Sequence, residues 1–200
     1  GSNGSGKSTL LKAIYGMLPE WSNGQKFFNG ENITGQPTSK LLKKGLLYIP
    51  QKNNLFETLT VKENLEMAGL TINQRILNQR IENVLSIFTT LVPLLHRTPM
   101  KLSGGERQML SLGMASLHEP RMILVDEPLT GLSAKNITNI LHNLKNLNEQ
   151  NGVTLIIVEH RIKDVIKISN KVLSLKLGKV FRELETNLTF DVSELNSVFI

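Results

Sequence analysis

The chain of 200 residues contains no cysteine and no long apolar run. The absence of cysteine excludes disulfide bonds and thiolate metal sites, although it fixes no cellular compartment. No apolar stretch approaches the roughly 20 residues that a membrane-spanning helix needs, so we expect no transmembrane segment. No basic-then-apolar leader opens the chain, and a secretion signal is therefore not expected.

Acidic residues are fewer than basic ones, and the net charge is +6 with a pI of about 9.6. Such an excess could indicate a surface for nucleic acid or an anionic membrane. The lysines and arginines are spread along the chain, however, and no basic stretch is interleaved with aromatic residues. Clustering of that kind is what a nucleic-acid surface requires. We therefore interpret the excess as a basic solvated surface and expect no nucleic-acid partner.

The hydrophobic pattern predicts an α/β protein. Continuous apolar runs at Leu46–Ile49, 122–125 and Thr154–Val158 are typical of strands buried on both faces, as in a parallel sheet. Apolar residues at helical spacing between the last two runs predict a βαβ crossover. Helical periodicity over 61–95 and 103–117 interrupts the alternation and indicates an inserted subdomain. We also predict a helix over 8–18 ended by Pro19, and a short strand over 25–29.

The first nine residues form a complete phosphate-binding loop. They read GSNGSGKST and match the pattern G-x-x-x-x-G-K-[ST]. In such a loop the glycines turn backbone N–H groups toward phosphate oxygens, Lys7 reaches the β- and γ-phosphates, and Ser8 supplies a hydroxyl to Mg²⁺. The motif normally follows a β-strand, so we expect the N-terminal strands to be missing from this chain. The candidate nucleotide-binding residues are Gly1, Asn3, Gly4, Ser5, Gly6, Lys7, Ser8 and Thr9.

An acidic pair, Asp126 and Glu127, ends the apolar run at 122–125. Ligand sites in open α/β sheets lie at the carboxyl ends of the strands. Beside a phosphate loop, Asp126 would hold Mg²⁺ directly or through water. Glu127 would orient or deprotonate the attacking water. The alternative for the pair alone is a solvated strand end or a helix cap.

A third segment reads LSGGERQ, from Leu102 to Gln108. A serine and two glycines at a helix start present a hydroxyl and free N–H groups, which makes a second anion-binding helix end. The alternative is a flexible loop capped by Ser103. Beside a phosphate loop and an acidic strand end, the segment resembles the signature of the ATP-binding cassette (ABC) ATPases.

The resemblance implies further site residues and a shared mechanism. Tyr48-Ile49-Pro50-Gln51 resembles the family's Q-loop, which implies that Gln51 is catalytic and a Mg²⁺ ligand. Glu159-His160 resembles the switch-histidine position, which implies that His160 is catalytic. Ser103, Gly104 and Gly105 are then expected to face the γ-phosphate of ATP bound to a partner subunit. The residues expected to serve ATP in the same chain are Lys7, Ser8, Gln51, Asp126, Glu127 and His160.

The fold implied by the resemblance is that of a P-loop NTPase. The expectation is a single nucleotide-binding domain over 1–200, with a RecA-like, mostly parallel sheet core at 1–55 and 118–200. A helical subdomain carrying the signature is expected at about 56–117. The implied partners are a second ABC ATPase subunit in a homo- or heterodimer, transmembrane permease subunits docked around 51–95, and indirectly a substrate-binding protein. The implied location is peripheral, on the cytoplasmic side of the cell membrane.

Within the family the likeness is to the ATPases of branched-chain amino acid importers, over residues 54–65, 108–113, 127–133 and 158–160. One departure is Thr130-Gly131-Leu132-Ser133, where the common D-loop reads S-A-L-D. Two alternatives remain open. One is an ABC-type ATPase in nucleic-acid or ribosome work, against which stand the lack of a long heptad run and of a second cassette. The other is an inactive truncated fragment.

Overall fold

A computed structural model describes residues 4–19, 24–52 and 54–186. The α-helices in these ranges are α1 (Lys7–Ile14), α2 (Thr38–Lys43), α3 (Val61–Ala68), α4 (Gln74–Ile87), α5 (Gly104–Ser116), α6 (Ala134–Glu149) and α7 (Ile162–Val165). The strands are β1 (Phe27–Phe28), β2 (Glu31–Asn32), β3 (Leu46–Ile49), β4 (Met122–Asp126), β5 (Thr154–Val158), β6 (Lys171–Lys176) and β7 (Lys179–Glu185). Turns of 3₁₀-helix cover Thr89–Leu94, Pro99–Lys101 and Ile166–Ile168. Among the described helices, none combines the length and apolar character needed to cross a bilayer.

A parallel three-stranded sheet of order β3-β4-β5 forms the centre of the protein. Ile49 lies beside Val125, and Asp126 lies beside Val158, so the three strands end at nearly the same level. Helix α6 makes the crossover from β4 to β5, which confirms the predicted βαβ unit. The observed bounds of β3 and β5 match the predicted runs, and β4 extends one residue further, to Asp126.

Apolar side chains cover the sheet on both faces, and alternation along each strand assigns them. On one face Leu47, Ile49, Ile123 and Val125 pack into a large cluster with helices α3 to α6. On the other face Leu46, Leu124 and Val158 pack with Leu11 of α1 and with residues near α2. Ile123, Leu124 and Val125 are fully buried, as predicted for β4. The large cluster crosses the boundary expected near residue 117, so the division into two subdomains stays a prediction.

Strand β5 is less buried than predicted, since Leu155, Ile156 and Ile157 are only half-buried. It pairs with β4 on one side, and among the described residues no strand pairs with its other edge. An apolar groove of about 430 Å³ runs along that edge, between β5 and β6. The strand expected to lead into Gly1 therefore has no counterpart within the described ranges.

The helices inserted between β3 and β4 pack closely because position 113 of α5 is a glycine. A Cβ atom there would lie 3.1 Å from Val84, 3.4 Å from Leu91 and 3.7 Å from Leu65. Each of these three side chains is buried. A larger residue at 113 would push α3 and α4 away from α5, and overpacking of this kind costs about 1–3 kcal/mol.

Asn64 organises the loop that leads from the sheet into the helices. Its side chain is fully buried, accepts the N–H of Phe56 (2.8 Å), and donates to the carbonyls of Phe56, Leu59 and Thr60 at 2.9–3.1 Å. Thr60 in turn begins α3 with a capping box shared with Glu63. The loop over 56–60 is therefore fixed by one buried amide and one helix cap.

Helix α1 is shorter than the predicted 8–18, and Gly16 rather than Pro19 ends it. Gly16 has a φ of 75°, in the left-handed region that favours glycine. The N–H of Met17 bonds to the carbonyl of Lys12 at 2.9 Å, and the N–H of Gly16 bonds to that of Ala13 at 3.1 Å. This is the Schellman arrangement, which stops a helix at its glycine.

Two antiparallel hairpins lie outside the parallel sheet. In the first, β1 and β2 flank the predicted Asn29-Gly30 turn, with φ values of 50° and 78° that fit a type I′ turn. The second joins β6 to β7 through Leu177 and Gly178, whose φ values of 50° and 75° fit the same turn type. The sequence analysis did not predict the second hairpin.

His118 joins the end of α5 to the end of α3. Its ring Nε2–H donates to the carbonyl of Ala68 at 3.0 Å. Burial, and secondarily the positive charge of Arg80, hold the pKa of His118 below its ordinary value, against the opposing effect of the Ala68 bond. The folded protein therefore favours the neutral ring at pH values where the unfolded chain already binds a proton.

We expect stability to fall as the pH drops below the ordinary histidine pKa of about 6.5, because the unfolded chain takes up the proton first. The His118 contribution is fully present above that value and is lost as the pH falls through the depressed folded pKa. The melting temperature of the wild type should therefore fall more steeply between about pH 7.5 and pH 5 than that of His118→Gln. His142→Gln, at an exposed histidine, is the matched control for removing one imidazole. Parallel curves for wild type and His118→Gln would contradict this interpretation.

Candidate functional site

The described part of the phosphate loop has the backbone shape that anion binding requires. Gly4 and Gly6 have φ values of 77° and 94°, which side-chain-bearing residues rarely adopt. Helix α1 begins directly after Gly6, so the positive N-terminal end of the helix lies at the loop. Gly1 and Asn3, which the sequence analysis included in the loop, lie outside the described residues. The exposed Thr9 lies in the first turn of α1.

The β6–β7 hairpin supports this loop from behind. The N–H of Gly178, at the hairpin tip, donates to the carbonyl of Ser5 at 3.0 Å. A Cβ atom on Gly6 would lie 3.5 Å from the Cα of Gly178. The Ser5 side chain is buried, and its Oγ accepts from the Lys7 ammonium at 3.4 Å. The unpredicted hairpin therefore contributes to the site by holding the loop in place.

Ser8 and Asp126 meet across 118 positions of sequence. The Ser8 hydroxyl donates to Asp126 Oδ1 at 2.8 Å, and the Tyr48 hydroxyl donates to Oδ2 at 3.1 Å. Strand alternation explains the meeting, because Tyr48, Leu124 and Asp126 share the face of the sheet on which α1 packs. Burial, followed by the charge and hydrogen bond of Asp126, raises the pKa of Tyr48 far above its ordinary value. Tyr48 is therefore a neutral donor at physiological pH.

The Ser8–Asp126 pair suits a magnesium ion. A hydroxyl and a carboxylate are hard oxygen donors, and Mg²⁺ is commonly held by one or two carboxylates together with substrate phosphates. Among the described residues no group of three or more histidine and acidic side chains could hold a metal. A site of the Mg²⁺–phosphate kind does not need such a group. Gln51, also predicted as a ligand, hydrogen-bonds to Glu127 instead of this pair.

Glu127 occupies a strained backbone position. It follows β4 with a φ of 49°, in the left-handed region that costs a residue with a side chain about 1–2 kcal/mol. Its N–H donates to the carbonyl of Val158 at the end of β5, at 2.8 Å. Such strained residues cluster at functional sites, where the surrounding structure holds them.

The Glu127 carboxylate accepts hydrogen bonds from the other two side chains that were predicted to be catalytic. Oε1 accepts from His160 Nε2 at 2.8 Å, and Oε2 accepts from Gln51 Nε2 at 2.6 Å. The hydroxyl of Thr130 also donates to Oε2, at 2.9 Å. Gln51, Glu127 and His160 follow β3, β4 and β5, so the structure brings together the three residues predicted to be catalytic. The sequence analysis did not identify Thr130 as a member of the site.

Glu159 is a further acidic residue that the sequence analysis quoted without a role. The residue is 8% exposed, and its carboxylate accepts three backbone N–H groups. One belongs to Leu129 in the loop after β4, and the other two belong to His160 and Arg161 in the loop after β5. No sequence signal could have shown this, because the partners come from two distant segments.

The signature segment forms the first turn of α5. Ser103 caps the helix, with its hydroxyl accepting the Glu106 N–H at 3.4 Å and its own N–H donating to Glu106 Oε2 at 2.7 Å. The Arg107 guanidinium forms an ion pair with Glu57 through both of its terminal nitrogens. It also donates to the carbonyl of Pro99 at 2.9 Å. The helix start is therefore tied to the loop that precedes α3.

The two signature glycines differ in what surrounds them. A Cβ atom at Gly105 would lie 2.6 Å from Asn136 Cγ, and three Asn136 atoms are within 2.9 Å. A Cβ atom at Gly104 would meet only the end of the Leu132 side chain, at 3.0 Å. Packing within the chain therefore requires glycine at 105 and leaves 104 more tolerant.

A family model described as "ABC transporter" matches residues 1–130. The chain belongs to the ABC transporter family. As expected from the phosphate loop, the acidic strand end and the signature, it is an ABC ATPase with the α/β fold of a P-loop NTPase. The fold class and family predicted from the sequence are thus confirmed.

Curated relatives cover most of the chain. A "Probable branched-chain amino acid transport ATP-binding protein" of Archaeoglobus fulgidus is 38% identical over 180 residues, which are 90% of this chain and 76% of that protein. An aliphatic sulfonates import ATP-binding protein of Bacillus cereus is 33% identical over 201 residues, covering 100% of this chain and 76% of that protein. The ABC transporter relatives therefore differ in what their names say they transport.

A solved structure gives the same fold. It is a dimeric ATP-binding cassette in a post-hydrolysis state, bound to ADP and Pi, with a TM-score of 0.80 and 27% sequence identity. The match covers 93% of this chain and 83% of that one.

The packing at the signature glycines predicts different responses to the same substitution. We expect Gly104→Ala to leave the melting temperature nearly unchanged, because the added methyl group meets only the end of the flexible Leu132 side chain. Gly105→Ala should lower stability by about 1–3 kcal/mol through the clash with Asn136. Adding Asn136→Ala should recover part of that loss. Equal melting temperatures for the two alanine variants would show that Asn136 yields at no cost.

Proposed function

We propose that this chain is the ATP-hydrolysing subunit of an ABC importer, and that branched-chain amino acids are its cargo class. The observation that carries the catalytic part is the convergence of Gln51, Glu127 and His160 beside the Ser8–Asp126 pair. The cargo class rests on the likeness over 54–65 and 127–133 and on the 38% identical relative from Archaeoglobus fulgidus. ATP is the substrate and Mg²⁺ the cofactor in this proposal.

Lys7 and the N–H groups at the start of α1 bind the phosphates, since both present positive charge at the loop. Ser8 and Asp126 would hold Mg²⁺, which would supply positive charge to neutralise the transferring phosphoryl group. Phosphoryl transfer depends on positioning and electrostatic stabilisation more than on covalent chemistry. The role of the protein is therefore to fix the phosphates on one side and the attacking water on the other.

Glu127 is the residue that orients and deprotonates that water. Its carboxylate already accepts hydrogen bonds from His160, Gln51 and Thr130, which define its direction. A base must lie within hydrogen-bond reach of the proton that it removes, and such contacts tighten when substrate binds. His160 and Gln51 then serve to hold the base, and through it the water.

In the full-length protein, we expect Glu127→Gln to bind Mg-ATP but to lose turnover. The carboxamide keeps the shape of the side chain without its basicity, and loss of a general base costs about 10²–10⁴-fold in rate. Fluorescent-nucleotide titration measures the binding and phosphate release measures the rate. If the substituted gene also replaces the native one, uptake of labelled leucine should fall with it.

Glu149→Gln, on the exposed end of α6, is the matched control and should leave both readouts unchanged. A Glu127→Gln rate within about twofold of wild type would remove the base assignment. If Glu127→Gln leaves leucine uptake intact but abolishes sulfonate uptake, the ATPase assignment stands and the proposed cargo class is wrong. A fully inactive wild type that binds no ATP would favour the inactive-fragment alternative, and stimulation by nucleic acid would favour the non-transport one.

The signature segment completes the site of a second subunit. Ser103, Gly104 and Gly105 open α5, whose free N–H groups and helix dipole favour negative charge. The related cassette solved as a dimer with ADP and Pi supports a two-subunit arrangement. We infer that two copies, or this chain and a similar one, enclose ATP between the phosphate loop of one and the signature of the other.

Mixing two inactive variants tests this arrangement. In Lys7→Ala the phosphate loop is damaged, and in Gly104→Asp a carboxylate faces the γ-phosphate and repels it. A mixed dimer has one site with both defects and one intact site, so ATPase activity should appear on mixing. Position 104 is chosen over 105 because Asn136 leaves no space at 105. If every mixture stays as inactive as its components, the signature serves its own chain or no chain.

Membrane subunits are proposed to dock on the helices and loop between residues 51 and 95. Large apolar side chains are exposed there, including Phe56 at 45%, Leu70 at 70% and Ile76 at 45%. The same region contains Gln51, so a docked subunit would lie close to the side chain that holds Glu127. Such docking would place the chain at the cytoplasmic face of the membrane, with a substrate-binding protein acting indirectly from the other side.

A further inference from the structure

Glu159 is a buried acid at the centre of the site whose role the proposed function leaves open. Its side chain directly follows β5, and its two oxygens point to different loops. Oε1 accepts the N–H of Leu129 at 2.6 Å. Oε2 accepts the N–H of His160 at 2.9 Å and that of Arg161 at 3.2 Å. One carboxylate therefore joins the loop after β4 to the loop after β5.

The backbone that Glu159 holds is the backbone that carries the catalytic pair. Leu129 lies two residues after Glu127, and its side chain is fully buried. His160 is bonded to Glu127 through its ring, and Glu127 is in a strained left-handed conformation. A buried N–H without an acceptor costs about 1–3 kcal/mol, so the loop at Leu129 depends on this oxygen for its position.

We propose that Glu159 is a positioning residue for ATP hydrolysis, which fixes the loops of Glu127 and His160 relative to each other. This inference rests on the proposed function, because it assigns Glu159 an effect through Glu127. In this inference Glu159 acts through the backbone groups that it binds and not through contact with ATP or water. Its three partners are backbone donors, which is the arrangement that an acceptor-only carboxylate satisfies best.

The two-oxygen geometry makes glutamine a selective perturbation. A carboxamide has nearly the shape of the carboxylate but only one acceptor oxygen, and its NH₂ group would face a second donor. Glu159→Gln must therefore lose either the Leu129 link or the His160 and Arg161 links. Glu159→Asp keeps both oxygens on a shorter stem and should retain more of the function than glutamine does.

The first measurement is steady-state ATP hydrolysis by the full-length protein in its assembled form. We expect Glu159→Gln to lower kcat by about 10- to 100-fold, since small misplacements of catalytic groups can cost about 10²-fold. The KM for ATP should change by less than about twofold, because an interaction made only toward the transition state affects kcat alone. Glu159→Asp should lie between glutamine and wild type.

Amide hydrogen exchange in the nucleotide-free protein supplies a readout independent of activity. Glu159→Gln should speed exchange at Leu129, or at His160 and Arg161, and leave the paired amides within β4 and β5 unchanged. A core variant, Ile140→Val in α6, should lower the melting temperature without altering exchange at the two loops or kcat. If Glu159→Gln acts like Ile140→Val, the role is merely structural and the proposal is wrong.

A double variant tests whether Glu159 acts through Glu127. Glu127→Gln/Glu159→Gln should hydrolyse ATP no more slowly than Glu127→Gln alone, since residues that act as a unit are not additive. If the rate losses of the two single variants multiply in the double variant, the positioning role is wrong. A wild-type rate in Glu159→Gln overturns this inference alone, whereas a wild-type rate in Glu127→Gln overturns the proposed base.

If Glu159→Gln does not fold, Glu159→Asp tests the positioning role instead. A wild-type kcat in that variant, together with fast exchange at Leu129, His160 and Arg161, would show that the loops need no fixing and would overturn the proposal. A reduced kcat with fast exchange at those amides and an unchanged KM would support it.

Discussion

The parallel pairing of β3, β4 and β5 is the constraint on which the site depends. Ile49 lies beside Val125 and Asp126 beside Val158, so three strand ends are held at one level. Asp126 ends β4, and the proposed catalytic residues Gln51, Glu127 and His160 follow within two positions of the ends of β3, β4 and β5. A slip of one residue in the register would turn each strand's side chains to the opposite face and separate Asp126 from Ser8. The apolar clusters on both faces fix the register, and they therefore also determine which side chains meet at the site.

The site contains three carboxylates, and each accepts hydrogen bonds from its own set of donor groups among the described residues. The donors that the described residues supply to Asp126 are hydroxyls, those to Glu127 are side chains of Gln51, Thr130 and His160, and those to Glu159 are backbone N–H groups. A triphosphate brings more negative charge to this region. Binding is then favourable only where positive charge is supplied locally, by Lys7, the helix end and a divalent cation. Because no donor group is shared between two of these carboxylates, each side chain is oriented independently of the other two.

Features encoded by local pattern could be predicted from the sequence. The bounds of β3 and β5 follow from short apolar runs, and the phosphate loop, acidic pair and signature follow from fixed spacing. The early end of α1 could also have been predicted from the sequence, since glycine, here Gly16, commonly ends helices. The β6–β7 hairpin was harder, because Leu177-Gly178 lacks the asparagine or aspartate that marks such turns most clearly.

Properties that depend on contacts between distant segments could not be predicted. Glu159 follows an apolar strand just as a solvated strand end would, and its burial depends on Leu129, 30 residues away. The requirement for glycine at 105 similarly comes from Asn136, on a helix that begins after β4. The half-buried state of β5 depends on what lies at its open edge, which the composition of the strand does not reveal. In each case the sequence shows the residue type but does not show which distant residues contact it.

Three contacts lie between the signature and the proposed base, and covalent chain connects the second contact to the third. Arg107 in the first turns of α5 binds Glu57, Glu57 lies in the loop fixed by Asn64, and that loop follows the segment of Gln51, which binds Glu127. The links are an ion pair, a buried amide and a side-chain hydrogen bond, all directional. Continuity alone does not establish energetic coupling, which needs an element with two discrete arrangements. The ion pair is the exposed, weaker kind of link, whereas Asn64 is fully buried. Of these links, the ion pair could therefore rearrange at little energetic cost, whereas a change at Asn64 would leave buried polar groups without partners.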